Sequence, residues 1–580
     1  MRVLLTGNEA VARGAYEAGV KVAAGYPGTP STEILENLVK YQGVEAQWAP
    51  NEKVALEVGF GASLAGVRSL VTMKHVGLNV AADPFMTLSY TGVNGGLVVI
   101  TTDDPGMHSS QNEQDNRYYA RFAKVPLIEP SDSQESKDFL KEAFLLSEKY
   151  DTPVLFRMTT RVSHTRTPVM LGQREEQERE FSKHIAKYVM LPAYARGRHD
   201  RVEARKEQLV SYAENSPLNQ VFWGGLEVGV ITSGITFHYA REALGSEVSY
   251  LKLGITNPLP LNLIREFASR VHRLVVIEEL DPFLEEQITA AGIPVSGKDI
   301  FPAVGELSPA IIEQGLQSEP TFRAYFINTE PLPGRPPLMC PGCPHRGVFY
   351  TLHKLKAVVT GDIGCYTLGA LPPFEAMDSC LCMGASIGAA LGMEKAKGKE
   401  FARKVVAVIG DSTFIHSGIT ALIDHVYNKS TGTIIILDNR TTAMTGHQDH
   451  PATGLTLKRE TTQKLNLVKL VESLGVEHVF QVDPYDLEAL ETLLRREMDR
   501  EALSVVLASR PCALIEKDSK AAPPVVSDDC KGCRKCLKLG CPALFSAGGR
   551  VGIDETICRG CGLCLQICPQ EAIKVREKDE

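Results

Sequence analysis

Eight of the chain's 14 cysteines lie between Cys530 and Cys568, and none precedes Cys340. They form two runs, Cys530-x2-Cys533-x2-Cys536-x4-Cys541-Pro542 and Cys558-x2-Cys561-x2-Cys564-x3-Cys568-Pro569. Two-residue gaps let three thiolates of one loop reach three irons of a cube, while the fourth thiolate comes from the other run. The spacing therefore assigns Cys530, Cys533, Cys536 and Cys568 to one [4Fe–4S] cluster, and Cys558, Cys561, Cys564 and Cys541 to a second. A disulfide framework would not crowd one end of a large chain. A pair of Cys₄ zinc sites is the alternative, but zinc usually takes two pairs of cysteines, not two triplets each followed by Cys-Pro. Cys340 and Cys343 share CxxC spacing with no second pair beside them, and Cys365, Cys380 and Cys382 lack cluster spacing, so the sequence offers no third metal centre.

The cysteine-rich tail resembles a two-cluster ferredoxin over about 40 residues and implies one-electron transfer. Such a tail needs an electron source. No GxGxxG in a strand–helix context and no Walker A sequence is present, so a nicotinamide, flavin or P-loop site is unsupported. A different pattern stands out. The apolar run KVVAVIGDS ends in Gly410-Asp411-Ser412, and GTIIILDN ends in Asp438-Asn439, with Asn439 28 positions after Asp411. Both read as carboxyl ends of parallel strands, where open α/β sheets bind ligands. Asp411 and Asn439 offer hard oxygens to Mg²⁺, which shares its octahedron with phosphate oxygens. The helix predicted after Asp411 would turn a positive N-terminus toward phosphate. The arrangement resembles the thiamine diphosphate motif, Gly-Asp-Gly followed by Asn, with Ser412 in place of the third glycine.

GDSTFIHSGITALIDHVYN and LDNRTTAMTGHQDHP resemble the 2-oxoacid:ferredoxin oxidoreductases. With GYPGTPSTEI, NEKVALEVGFGASLAG, TMKHVGLNVAADP, TTDDPGMHSSQNEQDNR and CPGCPHRG, the chain is similar over nearly its whole length to the large (alpha) subunits of the indolepyruvate group of that family. The resemblance implies that Mg²⁺ is held by Asp411, Asn439 and the backbone carbonyl of Thr441, with Gly410 and Ser412 in the same loop. It implies that Gly384 and Ser386 line the diphosphate, and that Asp362 to Tyr366, including Gly364 and Cys365, approaches the cofactor with His345. Glu52 matches the glutamate that activates the thiamine pyrimidine, a positioned acid/base role; at a predicted helix start it would otherwise serve the helix end. Thr29 matches a substrate-contacting position, and Lys74, His75, Asn79 and His108 are candidates for the substrate carboxylate or oxyanion. The implied reaction is oxidative decarboxylation of an aryl pyruvate with coenzyme A as cosubstrate. The implied partners are a smaller beta subunit, in an α2β2 complex, and an external ferredoxin, in the cytoplasm of an anaerobe. Phenylpyruvate or pyruvate as substrate, or an electron-transfer subunit with inactive thiamine-type domains, are the rival readings.

The elements that must position these residues follow an α/β rhythm. RVLLTG, KVAAGYPG, SLVTMK, GGLVVITT and PVLFRMTT read as strands of one parallel sheet, with helices between them and Asn8 and Ser31 as N-caps. The expected divisions are a thiamine-pyrimidine-binding α/β domain over 1–170, a charged, solvated helical linker over 171–215, and a transketolase-C-like α/β domain over 216–335. A Mg²⁺- and diphosphate-binding α/β domain follows over 336–520, then a ferredoxin-type α+β domain over 526–580. The cofactor is expected between the first and third α/β domains. The balance of 62 Lys plus Arg against 70 Asp plus Glu argues against bulk electrostatic binding of nucleic acid. No apolar run approaches the roughly 20 residues that span a bilayer, and the N-terminus does not read as a signal peptide.

Overall fold

The computed structural model describes residues 1–316, 336–516 and 521–576; the stretches 328–338 and 517–529, whose composition reads as linkers, fall partly outside them. The chain divides into two compact units, Met1–Asn328 and Thr329–Glu580.

Unit 1 contains β1 (Arg2–Thr6), β2 (Val22–Gly25), β3 (Glu45–Trp48), β4 (Ser69–Lys74), β5 (Leu97–Asp103), β6 (Leu127–Ile128), β7 (Val154–Thr159), β8 (Arg166–Met170), β9 (Gln220–Phe222), β10 (Val228–Ser233), β11 (Ser249–Leu253), β12 (Ile255–Asn257) and β13 (Arg273–Ile277). Its main sheet has the order β12-β6-β7-β5-β4-β2-β3 and is parallel except for the β12–β6 pair. Strands β4, β5 and β7 are buried along their whole length, as expected where helices cover both faces. A smaller sheet runs β13-β10-β11-β9.

Five expectations change here. RVLLTG is not in the parallel sheet; β1 pairs antiparallel with β8 in a separate two-stranded ribbon. The 216–335 segment lends β12 to the main sheet. Asn8 does not cap the helix Gly7–Glu17: Thr6 does, forming a capping box with Glu9, while Asn8 is buried and donates to the Pro30 carbonyl at 2.7 Å. Ser31 stands at the N-cap of Thr32–Leu38 but makes no capping bond; its hydroxyl donates to Gly28. Finally, the charged segment after residue 171 is not simply solvated. In its helix Pro192–Glu214, Arg198, Val202, Arg205, Leu209 and Ala213 bury one face, at the three- and four-residue spacing of a helix stripe. Arg198 and Arg205 donate to the carbonyls of Ser89, Tyr90, Thr91 and Asp151.

The two sheets of unit 1 are tied by buried charges. Arg117, 1% exposed, donates to Asp115, to Glu278 at 2.6 Å and to the carbonyls of Glu279 and Asp281. Arg157 pairs with Asp103 at 2.7 Å and Glu129 at 2.6 Å, and Glu129 accepts from Thr256. Opposite charges here hold each other in place of water.

Unit 2 contains β14 (Val358–Gly361), β15 (Ser379–Cys380), β16 (Val405–Gly410), β17 (Gly432–Asp438), β18 (His478–Val482), β19 (Leu503–Ser509), β20 (Val525–Val526), β21 (Leu544–Ala547), β22 (Arg550–Ile553) and β23 (Ile573–Lys574). A six-stranded parallel sheet runs β15-β14-β16-β17-β19-β18. Alternate residues of its strands enter two different cores: Val406, Val408, Ile435 and Leu437 one, and Ala407, Ile409, Ile434 and Ile436 the other. That period of two is what a doubly covered sheet requires. The cysteine-rich tail adds two short antiparallel ribbons, β20–β23 and β21–β22.

Replacing Arg117 by Met should leave the Glu278 and Asp115 carboxylates unpaired and cost about 3–5 kcal/mol in urea unfolding. Arg403→Ala, which breaks only an exposed pair with Glu501, should cost no more than about 1 kcal/mol.

Candidate active site and thiol clusters

In unit 2 the carboxyl ends of adjacent parallel strands bring the sequence-selected oxygens together. Gly410 ends β16, and Asp411 opens a short helical turn, Asp411–Thr413, which continues through a π-helical turn, Phe414–Gly418, into the helix Ile419–Tyr427. Asp411 is buried. Its carboxylate accepts the Ser412 N–H at 2.7 Å and, across the strand gap, the Arg440 N–H at 2.9 Å. His450 Nε2 stands 3.3 Å away. Asn439 and Thr441, just beyond β17, are buried too, and the Ser412 hydroxyl accepts from Thr442 at 3.0 Å. Buried hard oxygens at two adjacent strand ends fit the coordination chemistry of Mg²⁺.

Asp362, at the end of β14, has a role the sequence did not reveal. Its carboxylate accepts the N–H groups of Gly384 at 2.8 Å and Ser386 at 3.1 Å, at the start of the helix Ala385–Ala402. The donors expected to line a diphosphate are thus held by Asp362, whose burial raises its pKa. Next to it, Tyr366 donates to the Ile363 carbonyl, which Thr413 also reaches. The ring of buried His345 meets Tyr366 edge-on, with centroids 5.8 Å apart. Burial pushes the His345 pKa down to about 4 against the opposing pull of Asp411, so the imidazole is neutral at pH 7. Gly364 and Cys365 follow Ile363 in the same loop, bringing the Gly-Asp-Ile-Gly-Cys-Tyr segment, His345 and Asp411 into one neighbourhood.

The thiols gather into three groups. Cys536 senses the charges of Cys568, Cys533 and Cys530, and Cys564 those of Cys561, Cys558 and Cys541. The second group lines a small apolar pocket that also takes in Gly342, Arg346 and Arg559. The third group was not visible in the spacing. Cys343 neighbours Cys365 and Cys340, Cys365 neighbours Cys512 and Cys340, and Cys512 stands 3.7 Å from His447 Nε2. Burial pushes the thiols of Cys343 and Cys365 up to about 12 and about 11. Cys365 and Cys512 each follow the carboxyl end of a parallel strand, and that position was the available signal. Among the described residues no group of three or more His, Cys, Asp or Glu side chains is set to hold a single metal ion. A cube offers each thiolate its own iron, so its ligands stand farther apart than those of one zinc.

Unit 1 places its candidates at or after the ends of β2, β3, β4 and β5. Glu52 is the first residue of the helix Glu52–Leu64 and is buried. Asn51, not Glu52, is the cap, accepting the Val54 N–H. Gly77 abuts Glu52 so closely that a Cβ there would lie 2.6 Å from Oε1. The Thr29 carbonyl accepts from Ser109 at 3.3 Å.

Comparison with known proteins assigns these features. Residues 13–210 match the family model "Pyruvate flavodoxin/ferredoxin oxidoreductase, thiamine diP-bdg", residues 362–508 match "Thiamine pyrophosphate enzyme, C-terminal TPP binding domain", and residues 551–574 match "4Fe-4S binding domain". The indolepyruvate oxidoreductase subunit IorA of Methanothermobacter thermautotrophicus is 43% identical, over 100% of this chain and 98% of that protein. This chain belongs to the indolepyruvate oxidoreductase subunit IorA family. Members of the same name from Archaeoglobus fulgidus and Pyrococcus abyssi are 42% and 40% identical, each over 99% of this chain and 97% of their own length. The chain is therefore an α/β protein with thiamine-diphosphate-binding domains and a C-terminal [4Fe–4S] domain, and an oxidoreductase subunit. No helix among the described residues is long and apolar enough to cross a membrane.

Gly77→Ala should displace the Glu52 carboxylate. Turnover of the assembled enzyme is expected to fall at least about tenfold, with a stability loss of about 1–3 kcal/mol, read by steady-state kinetics and thermal unfolding.

Proposed function

We propose that this chain is the catalytic and electron-transferring subunit of an enzyme that oxidatively decarboxylates aryl pyruvates, indolepyruvate above all. Coenzyme A takes the acyl group, and ferredoxin takes the electrons singly. The observation that carries this reading is in unit 2, where the hard-oxygen set of Asp411 and Asn439 shares one compact body with three groups of four thiols. The preference for indolepyruvate rests on the names of the relatives.

Thiamine diphosphate, when bound, supplies the carbon acid and electron sink that decarboxylation needs. Asp411, Asn439 and the Thr441 carbonyl would hold its Mg²⁺, with Gly410 and Ser412 shaping the loop. Gly384 and Ser386, their N–H groups held by Asp362, would flank the diphosphate. Neutral His345 could accept or donate a hydrogen bond without adding charge beside Asp411. Glu52 would hold the pyrimidine in its reactive tautomer; in unit 2, Gly364 and Cys365 would border the diphosphate side.

Each four-thiol group has the composition of a [4Fe–4S] ligand set. Cys530, Cys533, Cys536 and Cys568 form one, and Cys541, Cys558, Cys561 and Cys564 another. The fold brings Cys340, Cys343, Cys365 and Cys512 together as a third. That third set contains Cys365, which follows directly on the loop of Asp362 and Gly364. The relatives are named as subunits, and we propose a smaller beta subunit as this chain's partner in an α2β2 complex.

The test is anaerobic turnover of the purified complex on indolepyruvate, phenylpyruvate, pyruvate and 2-oxoglutarate, with ferredoxin reduction followed with and without coenzyme A. Coenzyme-A-dependent reduction that favours indolepyruvate is expected. Reduction with pyruvate or 2-oxoglutarate only would discard the substrate. No reduction with any oxoacid would leave an electron-transfer subunit. Anaerobic iron analysis of the separated chain should give about 12 irons, and about eight would leave the third thiol set without a cluster.

A further inference from the structure

We propose that Lys74 is the residue that binds the carboxylate of the 2-oxoacid, an assignment that rests on the oxoacid chemistry proposed above. Lys74 ends β4, a strand buried along its whole length, and only 9% of the residue is exposed. Its ammonium makes one hydrogen bond, to the Ser109 carbonyl at 2.5 Å. A lysine ammonium carries three donors, so two are left over, and no carboxylate lies within ion-pairing distance among the described residues. The nearest acid, Asp104, is already engaged: Oδ1 accepts from Thr160 at 2.6 Å, and Oδ2 from the Ser110 hydroxyl at 2.5 Å and the Ser109 N–H at 2.9 Å. A buried cation with spare donors is expensive unless an anion joins it. Burial accordingly lowers the Lys74 pKa to about 8, with Asp104 pulling the other way.

The surroundings match a substrate pocket. The Tyr-Pro-Gly-Thr-Pro turn lies against Lys74, since a Cβ on Gly28 would come 3.0 Å from the Lys74 Cβ. Ser109, the residue Lys74 holds, also donates to Thr29. The helix His75–Val80 that follows Lys74 presents Gly77 to Glu52. Lys74 is therefore fixed beside the Thr29 turn, three residues before the Gly77 that abuts Glu52. The competing candidates have other work. His75 sits against the Asn112 carbonyl and its own carbonyl accepts from Asn116. His108 is 44% exposed and pairs with Glu306 at 3.0 Å, and Asn79 accepts from Tyr119. A carboxylate that departs as neutral carbon dioxide is held in the ground state, so loss of its partner appears in KM before kcat.

The experiment uses the assembled holoenzyme. Lys74→Met should raise KM for indolepyruvate roughly 10- to 100-fold with kcat held within a few-fold and with unchanged thiamine diphosphate and iron content. Indolepropionate should inhibit the unmodified enzyme much more strongly than its uncharged amide, and the two should become equal inhibitors of Lys74→Met. An unchanged KM, or a preserved preference for the acid, would overturn the assignment. If Lys74→Met fails to assemble, reductive methylation of the unmodified complex is the alternative. Indolepropionate should protect Lys74 from labelling, and equal labelling with and without it would overturn the proposal. Absence of turnover by the unmodified enzyme on every oxoacid would instead refute the decarboxylation chemistry, so the two failures are distinguishable.

Discussion

The chemistry of unit 2 depends on how the Asp411 carboxylate is held. It is buried at the end of one parallel strand and receives an N–H from its own turn and another from the chain leaving the next strand. A buried carboxylate is tolerable only when such donors replace water. Those bonds lock the Gly-Asp-Ser turn to the Asn439–Thr441 segment, and the adjacent β16–β17 pairing fixes the distance between them. Asp362 repeats the device one strand away, holding the N-terminus of the helix Ala385–Ala402. A sheet of aligned strand ends thus becomes a row of oriented oxygens. The fully buried β14, β16 and β17 cores keep that row rigid from below.

The same sheet edge carries the thiols that the proposed electron path would use. The loop Cys340–Arg346 carries two of the third group's thiols, then His345, then Arg346. Arg346 reaches the Leu539 carbonyl of the cysteine-rich tail and the carbonyls of Met339 and Cys340. Its guanidinium joins the loop bearing Cys340 and Cys343 to the tail, and it also lines the cavity that holds Cys541, Cys558, Cys561 and Cys564. Tyr485 adds a second link, donating to Gly342 and accepting from Gln566.

Much of this was legible in the amino acids because the features are local. Cysteine triplets at two-residue gaps, an Asp at the end of an apolar run and an Asn at the end of the next one announce themselves by spacing. What escaped was set by tertiary contact. Cys365 and Cys512 are remote in sequence, so no spacing rule joins them to Cys340 and Cys343. That the Asp362 carboxylate takes the N–H groups of Gly384 and Ser386, more than 20 positions on, no spacing could show. The helix Pro192–Glu214 looked solvated because its buried stripe includes Arg198 and Arg205, whose charges disguise a packed face. Thr6 was overlooked as a cap because Asn8, the more conspicuous residue, is used to hold Pro30. Strand β12 is three residues long, too short to betray which sheet it joins.

The central claim is that Asp411 anchors the metal and diphosphate of thiamine diphosphate. Titration of the cofactor into the cofactor-depleted complex, with and without Mg²⁺, tests it most directly when Asp411→Ala is compared with the unmodified protein. The account predicts Mg²⁺-dependent binding in the unmodified complex and loss of that dependence in Asp411→Ala, with iron content unchanged. Equal, Mg²⁺-dependent binding in both proteins would contradict it.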